Sequence, residues 1–138
     1  MSVGFTVKYY WYQVGTADFL HSFFSTIAYN LEECKWGSKY PVIMKELYNG
    51  TLKNEHINLA IEEVDLIVQQ LKKFSPDHVI WDIDDLSKRP PWGDNISSDI
   101  TDLSNYFVTS DGDDLIVILK HALEKGIEIK SDVNIKNI

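Results

Sequence analysis

Three aspartates close together in the middle of the chain are the first candidates for chemistry. Asp82, Asp84 and Asp85 offer carboxylate oxygens, the ligands that Mg²⁺ and Ca²⁺ prefer. A calcium-binding loop also needs an oxygen-bearing side chain at its fifth position and a glycine at its sixth. Counted from Asp82, those positions hold Leu86 and Ser87, so the pattern fails. The sequence therefore predicts no metal site, and a divalent-metal-dependent enzyme using the three aspartates stays open as an alternative.

Other residue types that catalyse reactions form no recognisable arrangement. None of the histidines lies three or four positions from another histidine or from Cys34, the only cysteine, so no metal-ligand spacing is present. The chain has no Gly-x-Ser-x-Gly motif and no glycine-rich phosphate loop. We therefore predict no catalytic residue, no cofactor and no enzymatic activity.

The negative charge of the chain is concentrated in one stretch. The net charge is −8. Residues 77–114, called the aspartate-rich segment below, contain ten aspartates and only Lys88 and Arg89 as basic residues, while the rest of the chain carries eleven residues of each sign. Such a surface repels nucleic acid and anionic membranes and suits a basic protein partner.

The run Arg89-Pro90-Pro91-Trp92-Gly93-Asp94 lies inside this segment. Two prolines stiffen the backbone before Trp92, and a rigid exposed aromatic with acidic neighbours is typical of a binding hot spot. Alternatively, Trp92 packs against the core and holds the loop there, since tryptophan is mostly buried, and Arg89 forms an ion pair with a nearby aspartate. Both interpretations stay open, and they are compatible with each other.

These observations together predict a partner-binding surface along the segment. Its candidate residues are Asp82, Asp84, Asp85, Arg89, Trp92, Asp94, Asp99, Asp102, Asp111, Asp113 and Asp114.

The first half of the chain alternates between strand and helix patterns. Val3 to Trp11 alternates apolar and polar residues, which predicts one long strand. From Thr16, apolar residues recur at helical spacing to Leu31, and a short helix is expected after Pro41. The clearest apolar stripe predicts a helix from about Glu55 to Phe74.

The second half is less regular. A short strand is predicted over 78–84 and another over 106–108, with a long irregular loop between them. A helix is expected over 113–125, capped by Ser110 and terminated by Gly126. Alternating apolar residues over 127–135 then predict a final strand or strand pair.

Taken together, these elements predict one α+β domain over residues 1–138, with about four helices packed on a small, mostly antiparallel sheet. No apolar run approaches the roughly 20 residues that a membrane-spanning helix needs. The N-terminus has the pattern of a strand and not of a signal peptide, so we expect a cytoplasmic protein.

Three stretches of the sequence carry a family resemblance. Val14–Phe24 (VGTADFLHSFF), Asp82–Asp94 (DIDDLSKRPPWGD) and Ser97–Leu103 (SSDITDL) resemble the immunity protein 70 family. The resemblance implies an antidote made beside a bacterial polymorphic toxin, with that toxin as its partner. Many such toxins are nucleases with basic grooves, and an acidic protein is suited to occupy a basic groove. The charge of this chain is therefore compatible with the resemblance. An adaptor module for another protein is the alternative.

Overall fold

Residues 2–137 are described by a computed structural model in which a four-stranded sheet is combined with helices. The strands are β1 (Val3–Val7), β2 (Tyr10–Gly15), β3 (Thr51–Leu52) and β4 (Val133–Asn137). The helices are α1 (Ala17–Leu31), a π-helix (Val42–Leu47), α2 (Ile57–Leu71) and α3 (Leu115–Ile129), with single 3₁₀ turns at Asn54–His56 and Pro76–His78. The predicted α+β class with an antiparallel sheet and about four helices is confirmed.

The sheet has the strand order β2-β1-β4-β3, and every neighbouring pair is antiparallel. The prediction of one long strand from Val3 to Trp11 is wrong. Lys8 adopts a left-handed φ of 54° and Tyr9 is 98% exposed, so the chain turns back there and forms a hairpin. Alternation alone could not reveal this turn, because neither residue is a typical turn former.

Helix α1 begins where the sequence predicts. The Thr16 hydroxyl accepts a hydrogen bond from the Phe19 amide at 3.1 Å, which satisfies one of the free N–H groups of the first turn. Helix α2 is also confirmed, with slightly shorter bounds than predicted.

Helix α3 differs from its prediction at both ends. Its cap is Asp114, which accepts from the Ile116 amide at 2.9 Å, and not Ser110. Gly126 lies inside the helix, and a Cβ there would stand 2.6 Å from Cδ1 of Ile57. Gly126 therefore allows α2 and α3 to approach closely and does not end the helix, which continues to a left-handed cap at Lys130.

The late strand predictions are only partly correct. Residues 127–129 belong to α3, and only Val133 and Ile135 of the predicted alternation lie in a strand, β4. The predicted strand at 106–108 is reduced to one bridge between Val108 and Asp114. The two-residue strand β3 was not predicted.

Two carboxylates organise the chain between α1 and α2. Glu32 is 1% exposed and accepts hydrogen bonds from the backbone amides of Gly37, Lys39 and Tyr40. Glu63 accepts from the amide of Ile43 at 2.8 Å, at the start of the π-helix, and burial raises the pKa of this carboxyl.

No helix within residues 2–137 is both long enough and apolar enough to cross a membrane.

Candidate protein-binding surface

The start of the aspartate-rich segment is fastened to α1 by hydroxyl groups. Ser22 donates to the carbonyl of Ile80 at 2.8 Å, and Thr26 accepts from the amide of the same residue at 3.0 Å. Ser25 accepts from the amide of Ile83 at 3.2 Å. These hydroxyl side chains of α1 are fully buried, so their hydrogen bonds to the segment satisfy groups that water cannot reach.

This arrangement explains why the predicted strand over 78–84 is wrong. The apolar residues do alternate there, but the backbone of Ile80 finds its partners on helix side chains instead of on a neighbouring strand. A signal was present in α1, because Ser22, Ser25 and Thr26 are spaced three and four positions apart and share one side of the helix. Polar residues at that spacing inside an apolar helix predict a buried polar contact.

The carboxylates of Asp82 and Asp85 close two tight turns. The Asp82 carboxylate accepts from the amide of Asp84 at 2.9 Å, and Asp85 accepts from the amide of Ser87 at 3.1 Å. The hydrogen bond from Asp84 lowers the pKa of Asp82, with help from His21 and Lys88. Hydrogen bonds from Ser87 lower the pKa of Asp85. Both carboxylates are therefore held ionised.

A histidine that the sequence did not single out joins this group. His21 Nε2 lies 3.3 Å from Asp82 Oδ1, and Nδ1 lies 3.0 Å from the Tyr48 hydroxyl. One neutral tautomer satisfies both contacts, with Nε2–H donating to Asp82 and Nδ1 accepting from Tyr48. Burial, together with Asp84 and Asp82, raises the pKa of Tyr48, so its hydroxyl keeps the proton that it donates.

Three side chains among the described residues 2–137 are arranged so that they could hold a metal ion. His21, Asp82 and Asp84 each bring one ligand atom within 4.8 Å of the others. Asp85, which the metal alternative required, is not in this group. Lys88 Nζ lies 3.6 Å from Asp82 Oδ2, so a protein cation already compensates one of the two carboxylates of this group.

Trp92 combines the two roles that the sequence left open. Its indole Nε1 donates to the Tyr106 hydroxyl at 2.8 Å, and its ring meets Phe19 of α1 and Trp81 edge-on. The residue nevertheless stays 37% exposed. Trp92 thus anchors the loop and presents part of its surface to solvent. Arg89 forms no ion pair with the residues of the described range 2–137.

Two cavities flank the loop that carries Trp92. The larger, about 650 Å³, has Asp77, Arg89 and Asp94 in its wall. The smaller, about 280 Å³, is lined mainly by apolar side chains, among them Phe19, Trp92 and Val108. Ile96 and Tyr106 line both, so the cavities are neighbours. The surface therefore offers a charged recess beside an apolar one, which is a usual arrangement for protein recognition.

The comparison with known proteins identifies the family. The model of the family described as immunity protein 70 matches residues 5–135. The chain belongs to the immunity protein 70 family. Neither the curated proteins nor the solved structures contain a match.

The remaining candidate aspartates of this immunity protein 70 member differ in whether their carboxylates accept hydrogen bonds from the protein. Asp114 caps α3, and burial raises its pKa. Partial burial tends to raise the pKa of Asp102, but hydrogen bonds from Ser104 and Thr101 lower it overall. Among the described residues, the Asp99 carboxylate accepts a single, long hydrogen bond, from the Ser97 hydroxyl at 3.5 Å.

Four of the candidate carboxylates are exposed and accept no hydrogen bond from the described residues 2–137. They are Asp84, Asp94, Asp111 and Asp113. Asp94 lines the larger cavity with Arg89, whereas Asp111 and Asp113 belong to the turn before α3, which reaches β2 through the bond from the Ser110 amide to the Val14 carbonyl. The predicted set thus falls into separate groups along the segment, and these four residues are the ones best able to contact a partner.

Proposed function

We propose that this chain is an antidote that binds a cognate toxin domain and blocks it without catalysis. Membership of the immunity protein 70 family supports this role. The proposed partner is a protein with a basic active-site surface, of which a nuclease groove is an example. The proposed place of action is the cytosol, where an incoming toxin would attack.

The observation that carries the proposal is the placement of charge. The aspartate-rich segment contains the whole net charge of −8, and its carboxylates at Asp84, Asp94, Asp111 and Asp113 are exposed. Complementary charge speeds the encounter of two proteins and favours the correct partner. Rapid capture is what an antidote needs, because the toxin acts as soon as it is free.

Co-expression with the product of the adjacent gene tests the role directly. We expect the two proteins to co-purify and the antidote to restore growth of cells that make the toxin. An adaptor for a different protein would leave the growth defect unchanged. Toxicity that persists when the complex forms would also contradict the proposal, because binding would then occur without neutralisation.

A charge-reversal variant tests the proposed surface. We expect Asp84→Lys, Asp85→Lys and Asp94→Lys together to slow association with the toxin about tenfold or more at low salt, because steering depends on these charges. Stopped-flow or surface-binding kinetics at two salt concentrations measure this change.

The matched control carries the same change in net charge elsewhere. Glu33, Glu62 and Glu124 are exposed and lie outside the segment, so their replacement by lysine tests the effect of total charge alone. If the two triple variants associate equally slowly, position in the segment does not matter. Association at the wild-type rate in the segment variant would reject the surface.

A further inference from the structure

The smaller cavity beside Trp92 is apolar in a region that is otherwise acidic. It encloses about 280 Å³, and its apolar wall consists of Phe19, Trp92, Ile96, Ile100, Tyr106 and Val108. Asn95 and Ser97 complete the lining, so no charged side chain belongs to it. The indole N–H of Trp92 already has a partner, because it donates to the Tyr106 hydroxyl at 2.8 Å. An apolar group can therefore enter without leaving this indole unpaired.

The wall is fixed before any partner arrives. Trp92 stands between Pro91 and Gly93, and its ring is held edge-on by Phe19 at 6.4 Å and Trp81 at 5.5 Å. Val108 is tied to Asp114 by a backbone bridge. A preformed wall lowers the entropy cost of binding, which favours tight association.

Two exposed aspartates lie next to lining residues of the cavity in the sequence. Asp94 and Asp99 directly precede the lining residues Asn95 and Ile100, and both aspartates are exposed. A segment with lysine or arginine beside an apolar residue would match this pattern. A free apolar molecule or a neutral protein surface would gain nothing from the flanking carboxylates.

We infer that this cavity receives one apolar side chain, of leucine to phenylalanine size, from a basic segment of the toxin. The cavity is open to solvent, whereas small-molecule sites bury most of the surface of their ligand, so a side chain that projects from a protein surface suits it better than a cofactor. The inference rests on the proposed function, since the toxin supplies the segment. It adds that the apolar contact, and not charge alone, holds the complex together.

The variant Val108→Glu separates these two contributions. Val108 is 44% exposed, so the substitution changes the cavity without opening the core. Steering by charge alone predicts that an additional carboxylate leaves binding to a basic toxin unchanged or makes it tighter. We expect the opposite, a loss of affinity of about tenfold or more through faster dissociation, because an apolar anchor loses its wall.

The matched control is Val117→Glu, which makes the same substitution on α3. Val117 is 45% exposed and does not line the cavity. We expect this variant to bind the toxin like the wild type. Dissociation kinetics with the purified toxin domain compare the three proteins, and circular dichroism melting checks their folding. If Val108→Glu unfolds, the variant Ser97→Trp tests the inference instead. Ser97 is exposed and lines the cavity, so the tryptophan should fill the cavity and also weaken binding to the toxin.

The possible results distinguish the inference from the function on which it rests. If the wild type binds the toxin and the cavity variants bind equally well, the inference is wrong and the proposed function stands. If the wild type does not bind the toxin, both are wrong. If light scattering shows a wild-type dimer that Val108→Glu dissociates, the cavity receives a second copy of this chain, which also overturns the inference.

Discussion

The sheet and its helices are joined by apolar side chains, whereas the aspartate-rich segment combines a few buried apolar side chains with hydrogen bonds to α1. Phe5, Ile27 and Leu119 are fully buried in the first region. After the turn Pro76–His78, the segment contains no helix or strand up to α3. It follows the surface through tight turns, with Leu103 and Phe107 as its most deeply buried apolar residues.

The two kinds of attachment differ in strength. Burying a large apolar side chain contributes about 1.5–3 kcal/mol, whereas a typical hydrogen bond contributes about 0.5–1.5 kcal/mol. The segment should therefore open locally at a lower free energy than the sheet. The proposed binding surface is therefore carried by the less stable part of the molecule, while the sheet and its helices supply the stability.

The largest effect is expected from a substitution in the sheet. Phe5→Ala should lower the free energy of unfolding by about 3–5 kcal/mol, because Phe5 is completely buried. Urea denaturation measures the change. Tyr9→Ala is the control, since Tyr9 is 98% exposed at the hairpin turn and should change stability by less than about 0.5 kcal/mol. Equal losses in the two variants would contradict the position of the core.

A smaller and more local effect is expected from the hydroxyl groups of α1. Ser22→Ala with Thr26→Val removes the partners of the Ile80 backbone, which is only partly buried, at a cost of about 0.5–1.5 kcal/mol for each lost hydrogen bond. Hydrogen exchange should show faster exchange of the amides near Ile80, with protection of the β1 amides retained.

The control for this double variant is Thr6→Val on β1, whose hydroxyl makes no hydrogen bond to the described residues 2–137. It should leave exchange in the segment unchanged. The comparison between the two regions breaks down if the double variant exposes the β1 amides as much as those of the segment, because the two regions would then open together.

The smallest effect is expected at low pH. The pKa of Asp82 is lowered in the folded state from its ordinary value of 3.8, first by the hydrogen bond from Asp84 and then by His21 and Lys88. The stabilisation is therefore complete above about pH 3.8 and is lost as the pH falls through the folded-state pKa. NMR should show the Trp81 indole signal changing over this acid range before the signals of β1.

The substitution Asp82→Asn should remove this acid transition from the Trp81 signal. A carboxyl pKa of Asp82 at or above 3.8, measured by NMR, would show that its contacts do not stabilise the charged form in solution.

Much of the fold follows from apolar periodicity. Helices α1 and α2 were predicted nearly as they occur, because four turns of regular spacing give a strong signal and Thr16 marks the start of the first. The errors occurred where a single backbone angle or a distant contact decides the structure. The left-handed Lys8 makes a hairpin out of one alternating run, and Gly126 serves packing between helices instead of helix termination.

The candidate surface was predictable in composition but not in geometry. The charge count located the segment, and the Pro-Pro-Trp-Gly run indicated that Trp92 is held in place. Sequence could not show that Asp114 is used as a cap while Asp113 beside it stays exposed, because both are equally acidic. His21 was missed because its partner Asp82 lies 61 positions away.

The hydroxyl stripe of α1 recognises main-chain atoms. Within residues 2–137, the hydroxyls of Ser22, Ser25 and Thr26 form hydrogen bonds with the amide and carbonyl groups of Ile80 and Ile83, and nearly every amino acid carries these groups. The outward-facing side chains of the segment can therefore be substituted during evolution while its hydrogen bonds to α1 are kept. If this segment is the proposed binding surface, its specificity can change while the scaffold stays the same.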